Sequence, residues 1–208
     1  MYIIKTPNIL QPIVSDLLWS VHTFEREVFL TFDDGPTPEI TERTLDLLDK
    51  HHAKATFFCL GKNVEAYPHI FQRIKDEGHT IGNHTHDHLN GRKTSHFAYL
   101  RNIAKAERIF SSPYFRPPYG KITRAQIASL KSKYRIVMWD IITGDFDPKL
   151  SATKVLKNVV DNVQQGSIIV FHDSIKAAPR MLPALEQTLI ILKQRGYKCS
   201  PLPAIDLD

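Results

Sequence analysis

Five short stretches of this sequence combine side chains that can bind a cation or move a proton. The first is Thr31-Phe32-Asp33-Asp34-Gly35-Pro36. Adjacent carboxylates repel each other unless a cation neutralises one of them. Gly35-Pro36 turns the chain sharply, which would hold both carboxylates in one place; an Asp pair capping a turn is the plain alternative. The second is His84-Thr85-His86-Asp87-His88. On a helical turn His84 and His88 would project from one face, a spacing that suits two ligands of one metal. Ten histidines in 208 residues make that spacing weak evidence by itself. His86 falls on another side of such a turn and reads as a solvated loop residue. In the third, Arg116-Pro117-Pro118-Tyr119-Gly120, neither proline has an N–H, so the first backbone donors after the guanidinium belong to Tyr119 and Gly120. The fourth contains Trp139, Asp140, Asp145, Phe146 and Asp147, and the fifth is Phe171-His172-Asp173. Each alone has a structural explanation: a stiff connection, a capped turn, a satisfied buried histidine.

What lifts these stretches above their separate explanations is their placement. Short β-branched and aromatic runs read as buried strands at Val28–Phe32, Ala55–Cys59, Thr80–Ile81, Tyr114–Arg116, Ile136–Trp139, Ile168–Phe171 and, weakly, Lys198–Ser200. Each chemical stretch follows one of them. Helical periodicity fills the intervals: a helix opening at Thr37-Pro38-Glu39, then residues 65–77, 97–110, 122–132, 152–164 and 181–195. Gly78, Gly166 and Gly196 follow three of these as helix-ending residues. About seven strand–helix alternations without polar alternation in the strands mean a parallel sheet covered on both faces. That is an α/β fold, either an open doubly wound sheet or a closed or nearly closed barrel, with chemistry at the C-terminal ends of its strands. Residues 1–26 read as an irregular N-terminal extension packed on the domain, with one short helix near Ile13–Trp19, and residues 27–208 as a single catalytic domain.

The ordered set TFDDGP, HTHDH, RPPYG, Trp…Asp-Phe and IIVFHD resembles the polysaccharide deacetylases with a NodB-type domain, carbohydrate esterase family 4. The resemblance spans roughly residues 28–200. It implies a distorted (β/α)7-type barrel and a metal-dependent hydrolase that removes N-acetyl groups from an amino-sugar glycan of chitooligosaccharide or peptidoglycan type. By the same resemblance Asp34, His84 and His88 are the metal ligands, most readily for Zn²⁺, with Co²⁺, Ni²⁺ and Mn²⁺ as alternatives. Asp33 resembles the general base, with Arg116 paired to it. His172 resembles the general acid, held by Asp145. Tyr119 supplies an oxyanion donor through its N–H. Ile169, three residues before His172, and Phe146 resemble the walls that receive the acetyl methyl. Two positions depart from the family pattern: Ile142 stands where an earlier Asp is usual, and Phe146 where a Trp is usual. Competing readings are an amide or formamide hydrolase of the same fold acting on a small metabolite, and an inactive relative that binds glycan without cleaving it.

Composition sets the outer limits. The chain has 42% apolar and 24% charged residues, ordinary values for a folded domain. Two cysteines, Cys59 and Cys199, allow neither a disulfide framework nor a four-Cys zinc site, so any metal must use His, Asp or Glu. No apolar run approaches the ~20 residues of a membrane span, and Pro7, Asn8, Gln11, Pro12, Ser15 and Asp16 interrupt any secretory apolar region. The expectation is therefore a chain without a membrane span, cytoplasmic or of unassigned compartment, its oligomeric state unassigned. The net charge of +5 is unevenly spread: residues 90–135 hold 11 Lys/Arg and one acid, Glu107. No nucleic-acid partner is expected. A positive rim from this segment would favour an anionic carbohydrate substrate; solvated helix faces are the alternative.

Overall fold

The run Glu27–Asp33 (β2) becomes an enclosed strand, buried from Val28 onwards, because its side chains have two covered faces to fill. Phe32 stacks between Phe57 and Phe171 on the two neighbouring strands, with centroids 5.0 and 5.8 Å away. Leu30, Phe32, Ile169 and Phe171 face a cluster shared with Leu45, Leu48, Leu185 and Leu189 of the outer helices. Each such buried side chain contributes roughly 1.5–3 kcal/mol. The alternate positions of β2, Thr31 and Asp33, turn to the opposite face, where polar partners await them.

The computed structural model describes residues 3–6 and 16–204. In chain order the remaining elements are β1 (Leu17–Leu18), α1 (Ile40–Lys50), β3 (Ala55–Cys59), α2 (Gly61–Ala66), α3 (Pro68–Asp76), β4 (Thr80–Asn83), α4 (His96–Glu107), β5 (Tyr114–Phe115), α5 (Arg124–Leu130), β6 (Arg135–Val137), β7 (Ile141–Ile142), α6 (Ala152–Val160), β8 (Ile168–His172), α7 (Ala178–Gln194) and β9 (Lys198–Cys199). The sheet order is β1-β6-β5-β4-β3-β2-β8-β7, with β9 also pairing β2, and all these strand pairs are parallel. The result is a single α/β domain with a curled parallel sheet and helices outside it, a distorted barrel. Its two ends, β1 and β7, are tied by chain upstream of β2. Lys5 bridges antiparallel to Ile141 and Ser20 to Ser167, and the Lys5 ammonium reaches the buried Asp140 carboxylate at 2.6 Å.

Several boundaries differ from the sequence reading. Of the short helix near Ile13–Trp19, Ile13–Ser15 lie outside the described residues, and Leu17–Leu18 form strand β1 against β6 instead. The span 65–77 is two helices, broken at Tyr67-Pro68, because a residue before proline is driven out of helical geometry. Helix α1 starts at Ile40, with Glu42 accepting the Glu39 N–H at 2.8 Å. Trp139 lies beyond β6, and the pair Ile141–Ile142 forms a strand of its own against β8.

Candidate active site

Parallel register brings the site together. Asp33, the last residue of β2, is paired with Phe58 on one side and His172 on the other. Asp34, next along, has a positive φ of 84°, which ends the strand geometry and leaves both carboxylates facing His84. The turn is caged from beneath: Gly35 N–H donates to Asp173 Oδ1 at 3.0 Å, and Thr41 Oγ1 donates to Asp173 Oδ2 at 2.5 Å. A Cβ at Gly35 would lie 2.1 Å from that oxygen, so the turn requires glycine. Asp173 is fully buried, and burial pushes its carboxyl up to about 7.

His84 and His88 meet, but not on a helical turn. The segment after β4 is irregular, with Thr85 and His88 in the left-handed region at φ 67° and 59°. The ring centroids end 5.2 Å apart. His86 is buried rather than solvated, held between Glu65 Oε2 and Asp87 Oδ1, each at 2.9 Å. Asn102 of α4 accepts both the His86 and Asp87 N–H groups, so His86 anchors the loop that carries the other two histidines.

The donor set fits a divalent metal. Ligand atoms of Asp34, His84 and His88 all lie within 4.8 Å of one another. His84 Nδ1 is 2.8 Å from the Arg116 carbonyl. A carbonyl only accepts, so Nδ1 carries the proton and Nε2 presents a bare lone pair. That lone pair faces Asp34 Oδ1 at 3.8 Å and Asp33 Oδ2 at 3.9 Å. Burial drives the His84 pKa down to about 4 despite the nearby Asp33 carboxylate, so no proton occupies that space at neutral pH. That arrangement suits a cation. His88 Nε2 lies 3.1 Å from Asp34 Oδ1. Burial disfavours the ionised Asp34, yet the His88 hydrogen bond and the charges of His172, His84 and His88 hold its carboxyl well below the usual carboxylate range.

Arg116 is fully enclosed and donates to Asp33 Oδ1 at 2.7 Å, Thr31 Oγ1 at 2.8 Å and the Met138 carbonyl at 2.9 Å. The guanidinium lies 4.0 Å above the Phe58 ring. In the following 3₁₀ turn, Pro118–Gly120, Tyr119 has φ 60°; Gly120 N–H returns to Pro117 O and Lys121 N–H to Pro118 O, while the Tyr119 N–H joins neither bond. The Tyr119 hydroxyl sits 3.1 Å from His88 Nδ1. On the other flank, Asp145 grips His172 twice, through Nδ1 at 2.8 Å and through the backbone N–H at 2.7 Å. Burial alone would lower the His172 pKa, but the Asp145 carboxylate outweighs it and raises it to about 9. Phe146 meets the His172 ring edge-on, centroids 5.2 Å apart.

Ile169 does not reach this site. It packs in the cluster beneath the outer helices, because strand side chains alternate faces and a residue three before His172 has the wrong parity. Val170, fully buried and paired with Thr31, shares the His172 face. The basic segment 90–135 also contributes less than its total implies. Arg116 is spent on Asp33, and Lys131 and Lys133 pair with Asp16 and Glu107.

Residues 20–135 match the family model of the polysaccharide deacetylases. The chain belongs to that family. A peptidoglycan-N-acetylglucosamine deacetylase of Bacillus cereus is 38% identical over 187 residues, covering 86% of this chain and 68% of the relative. A chitooligosaccharide deacetylase of Azorhizobium caulinodans is 32% identical, covering 86% of this chain and 94% of the relative. Among solved structures of the deacetylase fold, the Bc1960 peptidoglycan N-acetylglucosamine deacetylase superposes with a TM-score of 0.87 at 36% identity, covering 95% of both chains. A wild-type CE4 family pseudoenzyme from Bacillus anthracis superposes with a TM-score of 0.79 at 25% identity, over 88% of this chain and 66% of that one. Among the described residues no helix is long and apolar enough to cross a membrane.

Proposed function

We propose that this protein is a divalent-metal-dependent hydrolase that removes N-acetyl groups from an amino-sugar glycan. The observation that carries the proposal is the convergence of Asp34, His84 and His88 beside two further titratable groups, Asp33 and His172, on one rung of the sheet. These three residues would hold a divalent ion, which would supply Lewis acidity for hydrolysis of the acetamide. Three N/O ligands with an open position suit Zn²⁺, and Co²⁺, Ni²⁺ or Mn²⁺ accept the same donors.

The chain's own residues then divide the work. Asp33, aimed by Arg116, takes the proton from the attacking water. The Tyr119 N–H donates to the oxygen on which negative charge develops. His172 has Nδ1 committed to Asp145, so Nε2 is the nitrogen that gives a proton to the departing amine. The Asp145 carboxylate keeps that imidazole charged until the transfer. Val170 and Phe146 form the walls for the acetyl methyl. The products are the free amine and acetate.

The pseudoenzyme among the structural neighbours gives weight to a second reading, a protein that binds glycan without cleaving it. One assay separates the two: acetate release from chitooligosaccharides and peptidoglycan fragments with added Zn²⁺ or Co²⁺. The hydrolase reading expects acetate from the native chain and none from Asp33→Asn at equal metal content. Metal-loaded native protein that binds glycan and releases no acetate would establish the second reading instead.

A further inference from the structure

Asp34 and His88 do more than face a cation. They also line a groove of about 460 Å³ together with Tyr67, Ile175, Lys62 and Lys176. Ile175 is 77% exposed at its edge, and with Tyr67 it offers the apolar surface that the face of a sugar ring covers. The two lysines come from separate elements, Lys62 from the first turn of α2 and Lys176 from the loop before α7. Ion pairs engage Lys5, Lys50, Lys131, Lys133 and Lys198; among the described residues Lys62 and Lys176, like Lys54, Lys75 and several others, have none, and what sets these two apart is their shared groove. The one acid in the groove lining is Asp34, which the metal site claims. The groove therefore holds two positive charges with no acid of their own, next to a centre in which Asp33 and His172 are already paired with Arg116 and Asp145.

We infer that this groove is a flanking subsite for the sugar adjoining the one that is deacetylated, and that Lys62 and Lys176 select an adjoining sugar that carries a carboxylate. This rests on the reading of the protein as a glycan N-deacetylase. Two separate ammonium groups and no arginine suit dispersed single charges better than a clamped phosphate, which a bidentate guanidinium would hold. The assignment makes these lysines determinants of specificity, with no part in the chemical steps.

The test uses three oligosaccharides of equal length: one of N-acetylglucosamine alone, one in which alternate sugars carry a carboxylate, and the latter with its carboxylates converted to methylamides. The readout is the ratio of kcat/KM for the carboxylate form to that for the amidated form, in the native chain and in Lys62→Ala, Lys176→Ala and the double variant. Solvent-exposed ion pairs are worth up to about fivefold each, so the double variant should lower the ratio roughly tenfold, and about 0.5 M salt should lower it in the native chain. A ratio near one in the native chain, or one unchanged in the double variant, overturns the subsite. Absence of acetate from all three oligosaccharides would overturn the hydrolase reading. In that case the same ratio, taken from dissociation constants by calorimetry, still decides the subsite.

Discussion

Replacing Arg116 by methionine tests whether the buried guanidinium and Asp33 act as one unit. Methionine keeps much of the volume above Phe58 but removes the charge and every donor. Asp33, 4% exposed, would lose its partner at 2.7 Å, and Thr31 Oγ1 and the Met138 carbonyl would lose donors at 2.8 and 2.9 Å. Breaking a buried ion pair from one side costs about 3–5 kcal/mol, because the surviving charge is left uncompensated. Asp33→Asn breaks it from the other side and strands the guanidinium. The double variant strands neither charge, so its loss should fall short of the sum of the single losses by about 1.5–3 kcal/mol. Urea unfolding followed by far-ultraviolet circular dichroism measures all four corners of this cycle. Acetate release, run in parallel, should be lost at three of them, so the double variant recovers stability without turnover. Strict additivity of the two losses, or an Arg116→Met midpoint equal to the native one, would refute the idea that this pair organises the centre.

Other expectations follow from the same geometry. His84→Ala removes one of three ligands and should weaken metal binding beyond the ~10–100-fold typical of outer-shell losses; unchanged metal content by elemental analysis would dismiss the triad. His172 must be protonated to act as an acid, and the Asp145 carboxylate holds its pKa above the ordinary histidine value, so the rate should fall on an alkaline limb displaced above that value. Asp145→Asn removes the main stabiliser of the charged ring, and the alkaline limb of kcat/KM should move down towards the ordinary histidine value; a limb that stays put assigns the acid elsewhere. His79 is buried, accepts the Ala55 N–H at 3.1 Å and has its pKa lowered to about 4, chiefly by burial. The folded state thus disfavours its protonation: the contribution to stability is complete above about pH 6.5 and is lost as pH falls towards 4, amounting to roughly 3 kcal/mol. His79→Gln should flatten that part of the stability–pH curve; an identical slope in the variant would place the acid sensitivity in another group.

The fold was legible wherever a strand was long enough to have a pattern. Ala55–Cys59 emerges with the expected ends, and β2 and β8 lie within a residue or so of their apolar runs. Two-residue strands such as Leu17–Leu18 and Ile141–Ile142 carry no period and are defined only by their partners. The meeting of His84 and His88 was legible as a spacing, while the backbone that achieves it was not, since left-handed φ values at Thr85 and His88 leave no mark in those residue types. Strand parity was available and points to Val170 in place of Ile169. Lys62 and Lys176 lie far apart in sequence and share a groove only after β2, β3 and β8 are laid side by side, so no local pattern could single them out.

The register of β2 against β8 has a wider consequence. Asp33 and His172 are neighbours on adjacent parallel strands, so the backbone spacing of a sheet, about 4.8 Å, is the gauge that separates the two proton-handling groups. That gauge is set by main-chain hydrogen bonds and owes nothing to the loops above it. Sequence drift in the loops can therefore re-cut the mouth of the barrel for different glycans while the distance across the reacting centre stays constant. A one-residue slip between these strands would undo the centre even with every functional side chain still present.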